Sequence, residues 1–137
     1  MKALTILPPY AMGIVGGLKT VECRTWKTDY RGPILITSSA RRIKDTIPGH
    51  ALGVVDLVDI VPFTRKHLNA AGMDSMPDGK CYAWILENPR LIKPIPVKGK
   101  LSLWNFEDDE KIEYLPVPQT DEEDEALGAM YWDDLII

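Results

Sequence analysis

The chain has 137 residues, of which 45% are hydrophobic and 26% are charged, and its formal net charge is −4. This length suits one domain with a core of its own, and the hydrophobic content is too high for general disorder. No apolar run approaches the ~20 residues that a membrane-spanning helix needs, so we expect no membrane segment.

The predicted elements are mostly strands, beginning with residues 3–7, where Pro8-Pro9 cut the apolar run short. Strand-like runs follow at 19–25, 32–39, 51–63, 81–87 and 99–106, with an extended piece at 94–97. Short helices are predicted over 10–17 and 40–46, a helical turn over 65–71, and turns at 27–29 and 88–90. The pattern indicates a mostly β (α+β) fold, a small β-barrel with one or two short helices.

Charge is unevenly distributed along the chain. Residues 1–106 hold 15 Lys/Arg against 8 Asp/Glu, whereas residues 107–137 hold one Lys and 12 Asp/Glu. A basic body attracts polyanions such as RNA, and an acidic segment shields that surface, aids solubility or binds a protein partner. We therefore predict a barrel domain at 1–106 and an acidic C-terminal extension at 107–137, whose apolar end docks on the body or on a partner.

The two cysteines, Cys23 and Cys81, both lie in strand-like apolar segments. We interpret them as buried free thiols, which favours a reducing, cytoplasmic location. His50 and His67 are the only histidines, and there is no Cys-x-x-Cys pair. The sequence therefore predicts no metal site and no cofactor.

The segment from Lys19 to Trp26 concentrates the residues that carry chemistry. Because side chains alternate along a strand, Val21 and Cys23 share an apolar face, and Glu22 and Arg24 share the other with Trp26. Such a strand is either a solvated surface or the wall of a polar cleft.

Ordered motifs run from about residue 3 to residue 106. They are Pro9-Tyr10-Ala11, Gly17-x-Lys19-Thr20-x-Glu22-x-Arg24-x-Trp26, Tyr30-Arg31-Gly32-Pro33-Ile34-Leu35-Ile36, Leu52-Gly53-Val54-Val55-x-Leu57-Val58, Tyr82-Ala83-Trp84-Ile85-Leu86-Glu87-Asn88-Pro89 and Pro94-Ile95-Pro96-Val97-x-Gly99-Lys100-Leu101-x-Leu103-Trp104. Together they resemble the ASCH domain family.

The resemblance implies a barrel related to the PUA fold of RNA-modification proteins, with a cleft beside the first helix. It also implies a link to RNA binding and to coactivator-type proteins, with which the family is associated. We therefore predict an RNA- or nucleotide-binding module. Cations would meet phosphate, a carboxylate would read a base edge and aromatic rings would stack on the base. The predicted binding residues are Lys19, Glu22, Arg24, Trp26, Tyr30 and Arg31.

The same resemblance carries an alternative from another class. Some small bacterial relatives are metal-independent amidohydrolases of N4-acylated cytidines, with a lysine, a threonine three residues later and a downstream glutamate. Lys19 matches the lysine, but Glu22 stands at the threonine position, and the loop 63–80 offers Asp74 and Asp78 but no glutamate. If the protein is an enzyme, Lys19 and Glu22 are the predicted catalytic pair. A third alternative is an adaptor that binds a protein through its acidic C-terminal segment.

Overall fold

The computed structural model describes residues 1–137 and contains six strands and three helices. The strands are β1 (Lys2–Ile6), β2 (Val21–Arg24), β3 (Gly32–Ser38), β4 (His50–Pro62), β5 (Tyr82–Pro96) and β6 (Trp104–Asn105). The helices are α1 (Pro8–Val15), α2 (Leu68–Ala71) and α3 (Asp121–Tyr131), and short 3-10 turns lie at Arg65–His67 and Asp109–Lys111. No helix is both long enough and apolar enough to cross a bilayer.

The strands form one mixed sheet in the order β2-β5-β4-β3-β1-β6. Only β1 and β3 pair in parallel, because α1 crosses over between them; the other neighbours are antiparallel. The mostly β, α+β class is therefore confirmed, but the predicted closed barrel is wrong. The edge strands β2 and β6 have four and two residues and do not pair with each other, so the sheet stays open.

Most of the predicted elements lie where the sequence places them, and three differ. The segment 40–46 forms bends and turns instead of a basic helix, with Asp45 at a left-handed φ of 66°. Strand β5 continues through the predicted turn at 88–90, where Asn88 at φ 53° sits beside a register shift against β4. Of the predicted strand at 99–106, only Trp104–Asn105 pairs, because its first half curves away as a loop.

The largest of three buried apolar clusters lies between the sheet and α1. Ile14 and Val15 of the helix are buried against apolar side chains of β1, β3, β4 and β5. Gly53 on β4 makes this close approach possible. A Cβ there would lie 2.6 Å from the Arg90 carbonyl oxygen and 2.7 Å from Val15 Cγ1, which is too close for any side chain.

The two cysteines correct a second expectation. Cys23 and Cys81 are joined in a disulfide, with their Cα atoms 6.3 Å apart, and no free thiol remains. Antiparallel pairing of β2 with β5 sets Cys23 opposite Ala83, which brings the residue two positions earlier, Cys81, within bridging distance. The two cysteines are 58 positions apart in the sequence, so local sequence patterns do not indicate this contact.

The C-terminal segment, residues 107–137, folds back on the body. The Asp45 N–H donates to the Ile137 carbonyl at 2.6 Å, and the Ile137 N–H donates to the Thr46 carbonyl at 3.0 Å. Trp132, Leu135 and Ile136 pack against the main core cluster. The domain boundary between residues 106 and 107 remains a prediction.

An ion pair spans β4 and β5 beside the bulge at Asn88. Arg90 Nη2 donates to Asp56 Oδ1 at 3.1 Å, and the Asn88 amide donates to Oδ2 at 3.2 Å. These hydrogen bonds, that of Arg90 first, lower the pKa of Asp56 below its ordinary value of 3.8. The carboxylate is therefore more stable in the folded protein than in the unfolded chain.

Asp56→Asn tests this pair. The variant should lose about 0.5–1 kcal/mol of unfolding free energy at pH 7 in urea titrations, the upper range for a partly exposed pair. Since the folded pKa is the lower one, the contribution of Asp56 is complete above 3.8 and disappears as the pH falls through the folded value. The deficit should therefore shrink on acidification. Asp59→Asn is the matched control, because Asp59 is 61% exposed and 3.9 Å from Arg31. Equal losses in both variants would contradict the assignment.

Candidate functional site

Three charged side chains meet at the start of β2. Glu22 Oε1 lies 3.4 Å from Lys19 Nζ, and Oε2 lies 3.2 Å from Arg24 Nη2. The side chains of Lys19 and Glu22 are 8% and 9% exposed, and that of Arg24 is 24% exposed. We call these residues the charged triplet. It brings together three of the six residues that the sequence selects.

Local backbone geometry explains this arrangement. Lys19 lies in the short connection after α1, where its Nζ also donates to the carbonyls of Val21 at 2.8 Å and Ala71 at 2.6 Å. Three oxygens are thus within reach of its three hydrogens. Arg24 Nη2 also donates to the Thr5 carbonyl at 3.2 Å, which links β2 to β1 across a gap in the sheet.

Burial governs the titration of Lys19. Desolvation lowers the pKa of its ammonium group below 10.5, although the nearby Glu22 carboxylate opposes this by favouring the charged form. Lys19 lines only a recess of about 10 Å³ and does not line the larger cleft beside the triplet. Its contacts are those of an ammonium group that ties β2 to α2.

An open cleft of about 700 Å³ adjoins the other two members of the triplet. We call it the β2 cleft. Its lining comprises Thr5, Ile6, Leu7, Tyr10, Glu22, Cys23, Arg24, Ser39, Ala40, Lys98, Gly99, Lys100, Leu101 and Ser102. Lys98 and Lys100 are exposed there, and Tyr10 is 49% exposed, with its ring centroid 5.5 Å from Lys19 Nζ. The lining therefore combines cations, one carboxylate and an accessible aromatic ring.

Two buried polar atoms in the lining residues of this cleft have no hydrogen-bond partner in the protein. They are Arg24 Nε and Ser39 Oγ, and the whole chain has only one other such atom, Trp132 Nε1. Buried donors without partners are costly and rare in folded proteins. Both atoms belong to residues that line one cleft, but both are shielded from it, so a ligand or an ordered water reaches them only when the lining side chains shift.

Thr5 fixes the opposite wall of the β2 cleft. Its Oγ1 accepts from Lys100 N at 3.2 Å and from Trp104 Nε1 at 3.0 Å. These two donors occupy both lone pairs, so the Thr5 hydroxyl hydrogen points to Thr37 Oγ1, 2.9 Å away. Gly99 packs closely against Thr5, and a Cβ at position 99 would lie 2.4 Å from Thr5 Cγ2. Only glycine fits there without a shift of the Thr5 side chain.

The other three predicted binding residues lie outside the lining of the β2 cleft. The Trp26 ring packs edge-on against Trp84 at 4.8 Å, and its carbonyl accepts from the Trp84 indole. Tyr30 packs against the core and donates its hydroxyl hydrogen to the Pro33 carbonyl at 2.7 Å. Arg31 donates to the carbonyls of Thr28 and Tyr30, both at 2.8 Å. These groups already have protein partners.

Four residues of the cleft escape prediction from the sequence: Tyr10, Ser39, Lys98 and Lys100. The two lysines flank Gly99 just after an extended Pro-rich segment, a signal that could have identified an exposed basic loop. Ser39 carries no comparable signal, because only the pairing of β1 with β3 brings it to the cleft. No group of three or more His, Cys, Asp or Glu side chains is arranged to hold a metal ion.

Comparison with known proteins agrees with this fold. The family model of the ASCH domain matches residues 4–97 of the sequence. The chain therefore belongs to the ASCH domain family. Crystal structures of ASCH from Zymomonas mobilis and of one of its point mutants superpose with TM-scores of 0.57 and 0.55. Each covers 94% of both chains at 20% identity, which establishes a shared fold.

Among curated proteins, the chain is similar to activating signal cointegrator 1 of Homo sapiens and of Mus musculus. It is 26% identical to each over 129 residues, which cover 76% of this chain. The chain spans only about a fifth (22%) of the length of these relatives.

Glu22→Gln tests the charged triplet. Removing the carboxylate leaves Lys19 and Arg24 without their shared counter-ion, which should cost about 3–5 kcal/mol of unfolding free energy. The change also lowers the pKa of Lys19 further. The charge attraction and the hydrogen bond of Glu22 both raise that pKa, and the variant loses them. Between that pKa and 10.5 the unfolded chain binds more protons, so the stability of the variant should rise with pH.

Chemical denaturation at several pH values measures both effects. The matched control is Glu87→Gln, on the exposed side of β5, for which a surface change of under ~0.5 kcal/mol is expected. A similar small loss for Glu22→Gln would show that the triplet adds nothing to the fold.

Proposed function

We propose that the protein binds a nucleotide, free or as part of a single-stranded RNA, in the β2 cleft. The observation that carries the proposal is the pair of unpartnered buried atoms, Arg24 Nε and Ser39 Oγ, in the residues that line it. A ligand oxygen that reaches either atom when the lining shifts gains a hydrogen-bond donor that has no other partner. Membership of the ASCH family supports the same class of ligand through the resemblance to RNA-binding domains.

Charge in the cleft favours an anion. Lys98 and Lys100 lie on an exposed loop and form no ion pair, so both are available to phosphate. Glu22 is engaged by the two other members of its triplet. No residue of the acidic segment 107–137 lines the cleft, so that segment does not cover it.

The half-exposed Tyr10 ring supplies the second part of nucleotide recognition. Aromatic side chains stack on unpaired bases in single-stranded RNA, at ~1–3 kcal/mol for each base. Glu22 is the only carboxylate in the lining, but Lys19 and Arg24 already hold its two oxygens, so recognition of the base rests on stacking. Trp26, Tyr30 and Arg31 keep their structural contacts in this arrangement.

Salt dependence distinguishes a phosphate site from general attraction. We expect Lys98→Ala and Lys100→Ala each to weaken binding of a labelled single-stranded RNA in fluorescence anisotropy. Each should also reduce the slope of log K against log salt by about 0.7, the share of one phosphate contact. Lys66→Ala is the matched control, because Lys66 is equally exposed but lies outside the cleft. An equal change in Lys66→Ala would overturn the assignment of the site.

In the same assay, Tyr10→Leu separates stacking from charge. It should weaken binding about tenfold or more through the lost stacking, with the salt slope unchanged. A change in slope would indicate that the substitution moves the basic loop.

The alternative is a metal-independent amidohydrolase of N4-acylated cytidines, and one observation favours it. The lowered pKa of Lys19 is typical of reactive lysines, and Glu22 lies beside it. However, the three acceptors around Lys19 Nζ hold its hydrogens, and the residue does not line the β2 cleft. The geometry therefore supports binding better than hydrolysis.

Incubation with a panel of N4-acylated cytidines, followed by mass spectrometry, decides between the two functions. We expect no deacylation by the wild-type protein, because the Lys19 side chain is only 8% exposed and does not line the β2 cleft. Turnover that Lys19→Ala abolishes would establish the hydrolase, with Glu22 in the position where relatives carry threonine.

A further inference from the structure

A second concave surface lies between α1 and the C-terminal segment. It is a cavity of about 660 Å³ whose lining is largely apolar. A second cavity of about 430 Å³ adjoins it and shares Gly16, Leu91, Leu115 and Asp124. Together they form an elongated groove, which we call the α1–α3 groove. It shares no lining residue with the β2 cleft, so a function of the groove does not depend on the proposed nucleotide site.

Large apolar side chains remain accessible along this groove. Leu18 is 88% exposed at one side of it, and Val117 is 78% exposed at the other. None of the residues of α3 is fully buried, although Leu127 and Gly128 line the groove. Exposed apolar surface rimmed by polar groups is typical of interaction sites.

One donor in the lining is unsatisfied. Trp132 Nε1 is buried, has no hydrogen-bond partner in the protein and belongs to a residue that lines the larger cavity. An occupant that shifts the lining enough to reach this atom can supply its missing acceptor oxygen.

The charge around the groove decides the kind of occupant. Asp45, Asp124 and Asp133 lie in the lining, opposed by Lys44 and by Arg90, which is already paired with Asp56. The first turn of α3 adds three more acids and makes the rim negative on balance. None of the five acids from Asp121 to Glu125 forms an ion pair within the chain. This negative rim repels RNA and attracts a basic partner.

The backbone around the groove decides the conformation of the occupant. Its strand residues include Leu91 of β5, which pairs with Gly53 of β4 and accepts on its other side from the Leu115 N–H, so the groove offers no free sheet edge for an added strand. Two helices, α1 and α3, each contribute residues to the larger cavity, and the loop 43–46 and the residues after α3 supply much of the rest. A helix laid between two helices, with apolar residues at helical spacing, fits this geometry.

We propose that the α1–α3 groove binds a basic amphipathic helix of a protein partner. The apolar face of that helix packs on Leu18, Leu91 and Leu127. Its lysines or arginines meet the carboxylates of the rim, and a side-chain or terminal oxygen accepts from Trp132 Nε1. The acidic segment thus supplies one wall of a docking site.

The test uses the full chain and a synthetic helical peptide as a probe, with leucines along one face and lysines elsewhere. A scrambled peptide of the same composition keeps the charge but loses the apolar stripe. The ¹⁵N–¹H spectrum of the protein contains four indole signals, one for each Trp. We expect the signal of Trp132, assigned with Trp132→Phe, to shift saturably with the amphipathic peptide, whereas those of Trp26 and Trp84 stay in place.

Variants of exposed residues preserve the fold and locate the site. Leu18→Gln and Asp124→Asn should each weaken peptide binding about five- to tenfold, because each removes one kind of contact. Val58→Gln and Glu110→Gln are the matched controls. Val58 is 41% exposed, Glu110 is exposed, and both lie outside the groove. Neither should change the affinity.

Three outcomes would overturn the proposal. Equal binding of the scrambled peptide would reduce the effect to charge attraction. An unchanged affinity in Leu18→Gln would place the peptide elsewhere. A Trp132 signal that shifts with protein concentration alone would mean that a second copy of the chain occupies the groove.

Discussion

The connection from α1 into β2 depends on a buried carboxylate held between two cations. Glu22 receives Lys19 on one oxygen and Arg24 on the other, and each cation reaches further. Lys19 holds the Ala71 carbonyl at the end of α2, and Arg24 holds the Thr5 carbonyl of β1. β2 has only four residues and pairs only with β5. These polar contacts therefore hold its other side to the rest of the domain, where a central strand would have a second strand partner. Burying three charges is unfavourable unless each is compensated, so the triplet requires all of its members.

The same contacts separate a structural role from a binding role within one strand. Lys19 faces inward, where its hydrogens are used, whereas Arg24 lines the open cleft and its buried Nε has no partner in the protein. Tyr10, Ser39 and the Lys98–Lys100 loop complete that cleft from three other parts of the chain. On another part of the surface, the C-terminal segment and α1 enclose an apolar groove with an acidic rim. The uneven charge along the sequence thus corresponds to two surfaces of opposite character.

Local pattern was sufficient to predict most of the fold. Apolar runs located β1, β3 and β4, and Pro8-Pro9 with Gly16-Gly17 bounded α1, because these signals act within a few residues. Sequence reasoning failed where distant contacts decide. The segment 40–46 gives its Asp45 N–H to the last residue of the chain instead of forming a helix. Asn88 forms a bulge where a turn was predicted, and Cys23 meets Cys81 only through the β2–β5 register. For the site, strand spacing predicts that Glu22 and Arg24 lie together, and the family resemblance adds Lys19. Spacing also placed Trp26 on their face, but packing gives Trp26, Tyr30 and Arg31 other partners.

The saturated hydroxyl of Thr5 has a consequence for how the cleft responds to a ligand. The carbonyl of this residue holds Arg24 on one wall, and its side chain holds Lys100 and Trp104 on the other. A single residue of β1, Thr5, therefore holds both walls of the cleft in place. The nucleotide that we propose as the ligand meets a guanidinium and a loop backbone whose separation is already set, which reduces the conformational entropy lost on binding. The width of the cleft is thus imposed by β1, and the proposed ligand must fit that width.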